Sequence, residues 1–374
     1  MHNLESGYDG RMNIDAPASY LGALHQLPYN LLHEESGGAL RDGGTLSLSR
    51  AAFMCSNAWG TVSTSYRDEV ASFPRSPPRM ATQALILIRY SHFSHAFSHS
   101  QLLSRSTYAS ALRALGGGVA CDSGLPLSKM RASLARHGDH AMAKTSLQQR
   151  CFGKAGVRSV PLLLFLGRVT YQKGVHLLLD CLPALLESVN GEAQVCVCGC
   201  ADPSDAYARR CADQMKALQA AYPFHFWADP THYFEEAELA SAGADFGVIP
   251  SLFEPSGLVR EEFYAAGTPL ISSEAGGLRQ RIAAYDKATG LGEGVIFSGH
   301  SHTSLLNALT NAINLYKQPE HYRNLRNNAY RKACDISTTA AHWRCEIERL
   351  FACHRCESEF LQCDTIGSSD SSAQ

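Results

Sequence analysis

Two cations, two carboxylates and a few glycines are spaced along this sequence as a phosphate-bearing ligand would need them. Arg168 and Lys173 stand in the run Gly167-Arg168-Val169-Thr170-Tyr171-Gln172-Lys173-Gly174. Two positive side chains in one loop can hold a diphosphate between them. Further on, Pro250-Ser251-Leu252-Phe253-Glu254-Pro255-Ser256-Gly257-Leu258 leads to Glu262, eight residues after Glu254. Glu254 falls in a loop and Glu262 in the helix that follows, so both could line one cleft without sharing a helix face. Gly257 before one helix and Gly276-Gly277 before the next let backbone N–H groups approach an anion closely. The set suits a ligand with phosphates at one end and hydroxyls at the other. A plainer reading uses the same residues: an αβ unit with a solvated glutamate pair and two surface cations. Glutamate is common on helices, and an E-x7-E spacing alone says little.

The elements that must position these groups alternate. Val160–Leu166 is an apolar run of strand length, followed by the Gly167–Gly174 loop and an apolar helix from Val175. Pro183 inside that helix predicts a kink or break. Asn190-Gly191 is a turn and Ala193–Cys198 a strand. A helix over Ser204–Ala221, a strand over Phe224–Ala228 and a helix over Glu235–Ala242 follow. Phe246–Ile249 is a buried strand ended by Pro250. The next helix runs from Leu258 to about Ala266 and stops at Gly267, which can take the left-handed cap conformation. Pro269–Ile271 leads to Gly276-Gly277 and another helix. Gly290–Phe297 is a loop into a strand. Helices over Thr303–Tyr316, Glu320–Lys332 and Ala340–Phe351 complete the pattern, with Trp343 read as a packing residue. Strands alternating with helices give a parallel, doubly wound α/β sheet, which binds ligands at the carboxyl ends of its strands.

The wording of these loops resembles the donor site of the glycogen and starch synthases, retaining glycosyltransferases of family 5, and is closest to protist-type glycogen synthases. The resemblance is carried by G-R-V-T-Y-Q-K-G, then P-S-L-F-E-P-S-G-L-V-R-E-E, G-T-P-L and A-G-G-L, in the expected order. It implies a GT-B type α/β fold with two Rossmann-like domains. It also implies transfer of glucose from UDP- or ADP-glucose to the non-reducing end of an α-1,4-glucan. On that footing Arg168 and Lys173 bind the diphosphate and stabilise the charge that builds as the sugar leaves. Glu254 sits by the sugar and Glu262 by the ribose hydroxyls. Gly167, Ser256, Gly257, Leu258, Gly276, Gly277 and Leu278 line the donor, the last three through backbone contacts. No metal and no cofactor is implied. Three positions depart from the family wording: Ala275 where a threonine is usual, Gln280 where an aspartate is usual, and Ser256 where a cysteine is frequent.

The front of the chain matches only in patches. His2-Asn3 with Tyr8 and Gly10 resembles the family's H-N-x-x-Y-x-G, which implies a place for His2 near the glucosyl group. The elements expected before that motif are absent, so the N-terminal Rossmann-like domain, residues 1–150, reads as incomplete. Thr61-Val62-Ser63 resembles a T-V-S-x-x-Y strand end, with Ser63 or Thr64 as a helix cap. Residues 73–120 carry no family motif and read as a poorly ordered insert. Its histidines 92, 95 and 98 have helical spacing but no carboxylate or cysteine partners, so a polar loop is preferred to a metal site. Lys144–Gly153 resembles the K-x-x-L-Q-x-x-x-G that closes the interdomain linker. Residues 151–352 form the nucleotide-sugar domain, and 353–374 a mostly disordered tail.

Composition bounds the rest. The 374 residues suffice for two domains, and the formal net charge of −2 gives no basic footprint for nucleic acid. No apolar run has the length of a transmembrane helix, and the first fifteen residues lack the apolar core of a signal peptide. The thirteen cysteines show no framework spacing, which fits free thiols in a reducing, cytoplasmic setting; a plastid is left open. Cys196, Cys198 and Cys200 alternate and so would share one strand face. Cys353-His354-Arg355-Cys356 is a lone C-x-x-C without a second pair. Two other readings of function stand beside transfer to a glucan. One is an impaired nucleotide-sugar- or glucan-binding fragment or regulatory protein; the other is a different retaining GT-B glucosyltransferase.

Overall fold

A computed structural model describes residues 119–349 and, before them, five short strands. These are β1 (Arg11–Asn13), β2 (Arg41–Asp42), β3 (Thr45–Ser47), β4 (Ala58–Thr61) and β5 (Leu85–Ile88). β1, β3 and β2 form one antiparallel sheet; β4 pairs with β5 and, in parallel, with β6 (Val119–Ala120). Thr61 closes β4, where the sequence pattern places a strand end. His2, the Ser63/Thr64 cap, the 92/95/98 histidines and the Cys353–Cys356 pair lie outside the described residues. So does most of the expected N-terminal domain and of the 73–120 segment.

The rest is one doubly wound domain. Its strands are β7 (Leu162–Leu166), β8 (Gln194–Cys198), β9 (Phe226–Ala228), β10 (Phe246–Ile249), β11 (Leu270–Ser273) and β12 (Gly294–Phe297). All pair in parallel in the order β9-β8-β7-β10-β11-β12, the 3-2-1-4-5-6 order of a dinucleotide-type sheet. Each strand is a short run buried on both faces, so side chains alternate between two cores. Leu163 and Phe165 of β7 face one core, with Val195 and Val197 of β8. Leu162, Leu164, Cys196 and Cys198 face the other.

The first core is closed by α3 (Val175–Ser188), α4 (Ala206–Ala221) and α8 (His302–Tyr316). Helices α1 (Leu127–Leu134), α2 (His140–Phe152), α5 (Ala237–Gly243), α6 (Leu258–Ala265) and α7 (Leu278–Arg281) lie on the opposite side, and α9 (Pro319–Lys332) reaches both cores, with Leu325 in the first and Ala329 in the second. A final helix, α10, spans 336–349. The sequence pattern locates every one of these strands to within two or three residues, and Gly290–Phe297 is, as expected, a loop into the last strand. β7 begins after Pro161, whose ring nitrogen cannot donate to a ladder, rather than at Val160.

Of the kink or break expected at Pro183, the break does not occur: α3 runs through it from Val175 to Ser188. Pro183 sits on the exposed side of the helix, and the carbonyl it leaves without an intrahelical donor is that of Leu179, on the buried face. Lys144–Gly153, expected as the end of a linker, is the body of α2 and its cap. Ala143, Leu147 and Phe152 of α2 are in the second core. Asp139 caps α2 by accepting from Met142 N at 2.9 Å. Cys196 and Cys198 share a face as the alternation requires. Cys200 lies beyond the strand, with its thiol toward the Thr231 carbonyl at 3.5 Å. Among the described residues no helix is long and apolar enough to cross a membrane.

Candidate donor-binding site

Strand order reverses between β7 and β10, and the loops leaving these two strands carry the charged residues singled out by the sequence. Parallel sheets open a crevice at such a point because their neighbouring helices depart to opposite faces. Gly167–Gly174 leaves β7, Pro250–Gly257 leaves β10, and Glu274–Gly277 leaves β11.

The three loops are locked together at their backbones. Gly174 has φ +63°, and a Cβ there would collide with the Pro250 carbonyl oxygen. Leu252 N donates to Gln172 O at 2.8 Å, and Gln172 Nε2 donates to Phe253 O at 3.0 Å. Gly276, at φ +48°, packs directly on the Glu254 carbonyl, leaving no room for a side chain, and Gly277 N donates to that carbonyl at 2.8 Å. Glycine is required at 174 and 276 for both reasons: the left-handed backbone and the close approach.

Within this frame Lys173 Nζ meets Glu254 Oε2 at 2.5 Å, with the two side chains 18% and 6% exposed. Ser251 Oγ donates to the same carboxylate oxygen at 3.1 Å and is itself held because Ser273 Oγ donates to Ser251 O at 2.6 Å. An ammonium carries three donors and a carboxylate about four acceptor positions. Each member of the pair therefore keeps hydrogen-bonding capacity beyond its partner, and Glu254 Oε1 accepts from none of the described residues.

Glu262 lies one turn along α6, half-buried. Burial pushes its carboxyl above the ordinary glutamate value, and the Lys173 charge pulls it back in part. Arg168 is exposed on the first loop, and Leu258 is 46% exposed at the start of α6. Gly257, the N-cap of α6, has φ +75°, and a Cβ there would lie 2.6 Å from Leu278 Cδ2.

Two expectations change. The backbone N–H groups of Gly277 and Leu278, expected to meet the ligand, are used within the protein: Gly277 N on Glu254 O, Leu278 N on Ala275 O at 3.0 Å. The first fixes the Glu254 loop, and the second closes the turn that starts α7. Leu278 itself is buried core, and α7 is a single turn. Ser256, expected on the donor, has its carbonyl accepting from Arg281 Nη1 at 2.9 Å.

That arginine belongs to a network with no local signal in the sequence. Glu261, fully buried, accepts from Arg260, from Arg281 and from Cys334 N at 2.7 Å. Arg281 also donates to Ser123 O at 2.6 Å. It thereby ties residue 123 to the loop before α6. Asp335 completes the tie: Ile336 N donates to Leu125 O at 2.9 Å, and Leu127 N donates to Asp335 Oδ2 at 3.0 Å. So the segment after α9 packs back on residues 122–127.

Residues 154–332 match the family model described as glycosyl transferases group 1. The chain is 34% identical over 194 residues to a glycogen synthase of Lacticaseibacillus casei (strain BL23), covering 52% of this chain and 39% of that protein. It is 34% identical over 191 residues to a glycogen synthase of Aeromonas salmonicida (strain A449), covering 50% and 37%. The chain thus spans about two-fifths of the length of the curated relatives it matches. Among solved structures, the catalytic domain of starch synthase IV from Arabidopsis thaliana, bound to ADP and acarbose, superposes with a TM-score of 0.65 at 20% identity. That likeness covers 92% of this chain and 64% of the plant protein, and it shows a fold of the GT-B type. The loops that carry Lys173 and Glu254 both fall inside the segment, residues 154–332, that matches the group 1 glycosyltransferase model and is similar to the glycogen synthases.

Proposed function

We propose that the chain transfers glucose, with retention, from a nucleotide-glucose to the non-reducing end of an α-1,4-glucan. The observation that carries this is the Lys173–Glu254 pair at the point where strand order reverses, held by three interlocked loops. Lys173 has donors to spare for a diphosphate, and Arg168 stands exposed on the same loop to share the charge. As the glycosidic bond to the donor breaks, negative charge grows on the leaving phosphate, and a preorganised ammonium in a half-buried site stabilises it. Glu254 orients that ammonium and offers its free oxygen to sugar hydroxyls. Glu262 takes ribose hydroxyls. His2 belongs near the transferred glucosyl group by its motif. The reaction on this reading needs no metal and no cofactor, since the two cations take the diphosphate charge. The donor is UDP- or ADP-glucose, and the setting is cytoplasmic.

The test is incorporation of labelled glucose from UDP-glucose and ADP-glucose into glycogen, with Lys173→Ala and Glu254→Ala beside the wild type. Incorporation with one donor, lost in both variants, is expected. Donor binding without incorporation would reduce the chain to a nucleotide-sugar-binding protein. Incorporation unaffected by either change would remove this site from the reaction.

A further inference from the structure

A second cavity opens on the outer side of the first core, between α3 and α4. It has a volume of about 270 Å³ and is lined by Tyr171, His176, Asp180, Tyr207, Arg210 and Gln214, with Cys211 at its floor. Three rings build one wall. Tyr171 and His176 are parallel, with centroids 5.6 Å apart and planes within 5°. Tyr207 stands edge-on to both and its hydroxyl is 2.9 Å from His176 Nδ1. Tyr171 is 46% exposed and lines the cavity, so much of its ring is accessible there.

The polar groups are arranged around that face. Asp180 is engaged through both oxygens, by Gln214 Nε2 at 2.7 Å and His302 Nε2 at 3.1 Å. The Gln214 amide is therefore oriented, and its carbonyl oxygen is left as an acceptor. Arg210 makes no hydrogen bond or ion pair among the described residues, so its five donors remain available. Tyr171 adds a hydroxyl.

This combination has a chemical meaning. An open aromatic face takes the flat C–H face of a pyranose, and planar amide, guanidinium and phenol groups at its rim match ring hydroxyls that both donate and accept. A phosphate is disfavoured because the Asp180 carboxylate stands in the same wall. Tyr171 and Lys173 share one helical turn of the first donor loop, so a sugar stacked on Tyr171 lies next to the donor site, with its polar contacts supplied from α3 and α4. We propose that this cavity binds a glucose unit of an α-glucan chain, a second holding point for the polymer separate from the site of transfer. The proposal rests on the glucan reading above for the identity of the sugar, and its test does not depend on turnover.

Mobility of the full chain in native gels containing glycogen reads glucan binding directly. Arg210→Ala and Gln214→Ala are carried by α4, away from the donor loops, and thermal melting checks that each folds as the wild type does. Each variant is expected to weaken apparent affinity for glycogen by about five-fold, the loss of one or two hydrogen bonds. Maltoheptaose should compete, and UDP and ADP should not. Incorporation into a saturating short primer should be unchanged. Equal retardation of wild type and both variants overturns the second site while leaving the transferase reading intact, and competition by nucleotide overturns it in favour of a nucleotide site. Retardation that depends on Arg210 in a chain that incorporates no glucose upholds the second site and defeats the transferase reading.

Discussion

Strand β10 has a buried acid at each end, and each acid is paired with a lysine. At the amino end Asp245 is saturated. It accepts from His140 Nε2 at 2.9 Å and Tyr322 OH at 2.8 Å on one oxygen, and from Lys144 Nζ at 2.6 Å and Leu162 N at 2.7 Å on the other. At the carboxyl end Glu254 is engaged, among the described residues, through one oxygen only. Burial opposes the ionised form of Asp245, but the His140 hydrogen bond and the Lys144 charge outweigh it and hold the carboxyl below its ordinary value. A fully partnered charge has nothing left to offer a ligand. Its work is to join α2, α9 and β7 to β10. The pair at the other end keeps spare valence, and that makes it a binding site.

The largest effect should come from breaking the saturated end. Asp245→Ala leaves Lys144 buried without its anion and strips Leu162 N of its acceptor. Removal of one partner from a buried charged network costs about 3–5 kcal/mol, which denaturant melts would read as a large drop in midpoint. Acid should expose the same network. The folded pKa of Asp245 lies below the unfolded value, so its stabilisation is present above the ordinary aspartate value of 3.8 and is lost as pH falls through the lower, folded value. In Asp245→Asn that part of the acid sensitivity should be absent.

Lys173→Ala inverts the balance. Loss of one group that stabilises transition-state charge costs about 10²–10³ in turnover, while the melting midpoint should fall by less than in Asp245→Ala, because Lys173 is 18% exposed and water can take its place beside Glu254. A Lys173→Ala protein that unfolds as readily as Asp245→Ala would erase the distinction between the two ends.

Gly276→Ala tests how the site is held. The new methyl meets the Glu254 carbonyl and the backbone must leave a left-handed conformation, at a cost of about 1–3 kcal/mol. The expected result is a modest loss of stability with a larger loss of donor affinity, because the displaced carbonyl belongs to Glu254. A shift in stability with donor affinity unchanged would show that the third loop does not position the carboxylate.

These contrasts also mark what the chain discloses without coordinates. The strands were legible because each is a short apolar run closed by glycine or proline, and the loops because they follow those runs directly. Arg168, Lys173 and Glu254 could be placed at carboxyl ends on that ground alone, and Glu262 in the helix that follows. What could not be read was the spending of hydrogen bonds. Gly277 N looks like an anion donor in sequence and turns out to brace a loop, since nothing local says that the Glu254 carbonyl lies above it, while Leu278 N is used in the turn from Ala275. Glu261 looks like a surface residue beside Glu262. It is the buried hub of Arg260, Arg281 and Cys334 N, whose partners lie up to 73 residues away. Asp245 is similar: its partners come from α2, β7 and α9, and only the fold brings them to one carboxylate. The packing of α2 on this domain was hidden for the same reason, because a helix does not state which sheet it covers.

Glu262 offers the finest test of spare valence against saturation. Burial raises its carboxyl, and the Lys173 charge does not fully compensate. Its folded pKa therefore lies above the unfolded one. The stability associated with the proton is present below the ordinary glutamate value of 4.5 and is lost as pH rises through the higher, folded value. At neutral pH the ionised side chain is a net burden on the ligand-free protein. Glu262→Gln removes that burden and should stabilise the fold by about 0.5–2 kcal/mol, at the expense of ligand binding, as changes at functional sites commonly do. The gain should shrink as pH is lowered toward 4.5 and below, where the wild-type carboxyl takes up its proton. Nucleotide-glucose affinity should fall, since an amide accepts fewer hydrogen bonds from a pair of hydroxyls than a carboxylate does. Paired melts at neutral and acid pH, with a donor titration, read all three. A Glu262→Gln protein less stable than wild type at neutral pH would mean that this carboxylate, like Asp245, is already satisfied by the fold and is not held in reserve for a ligand.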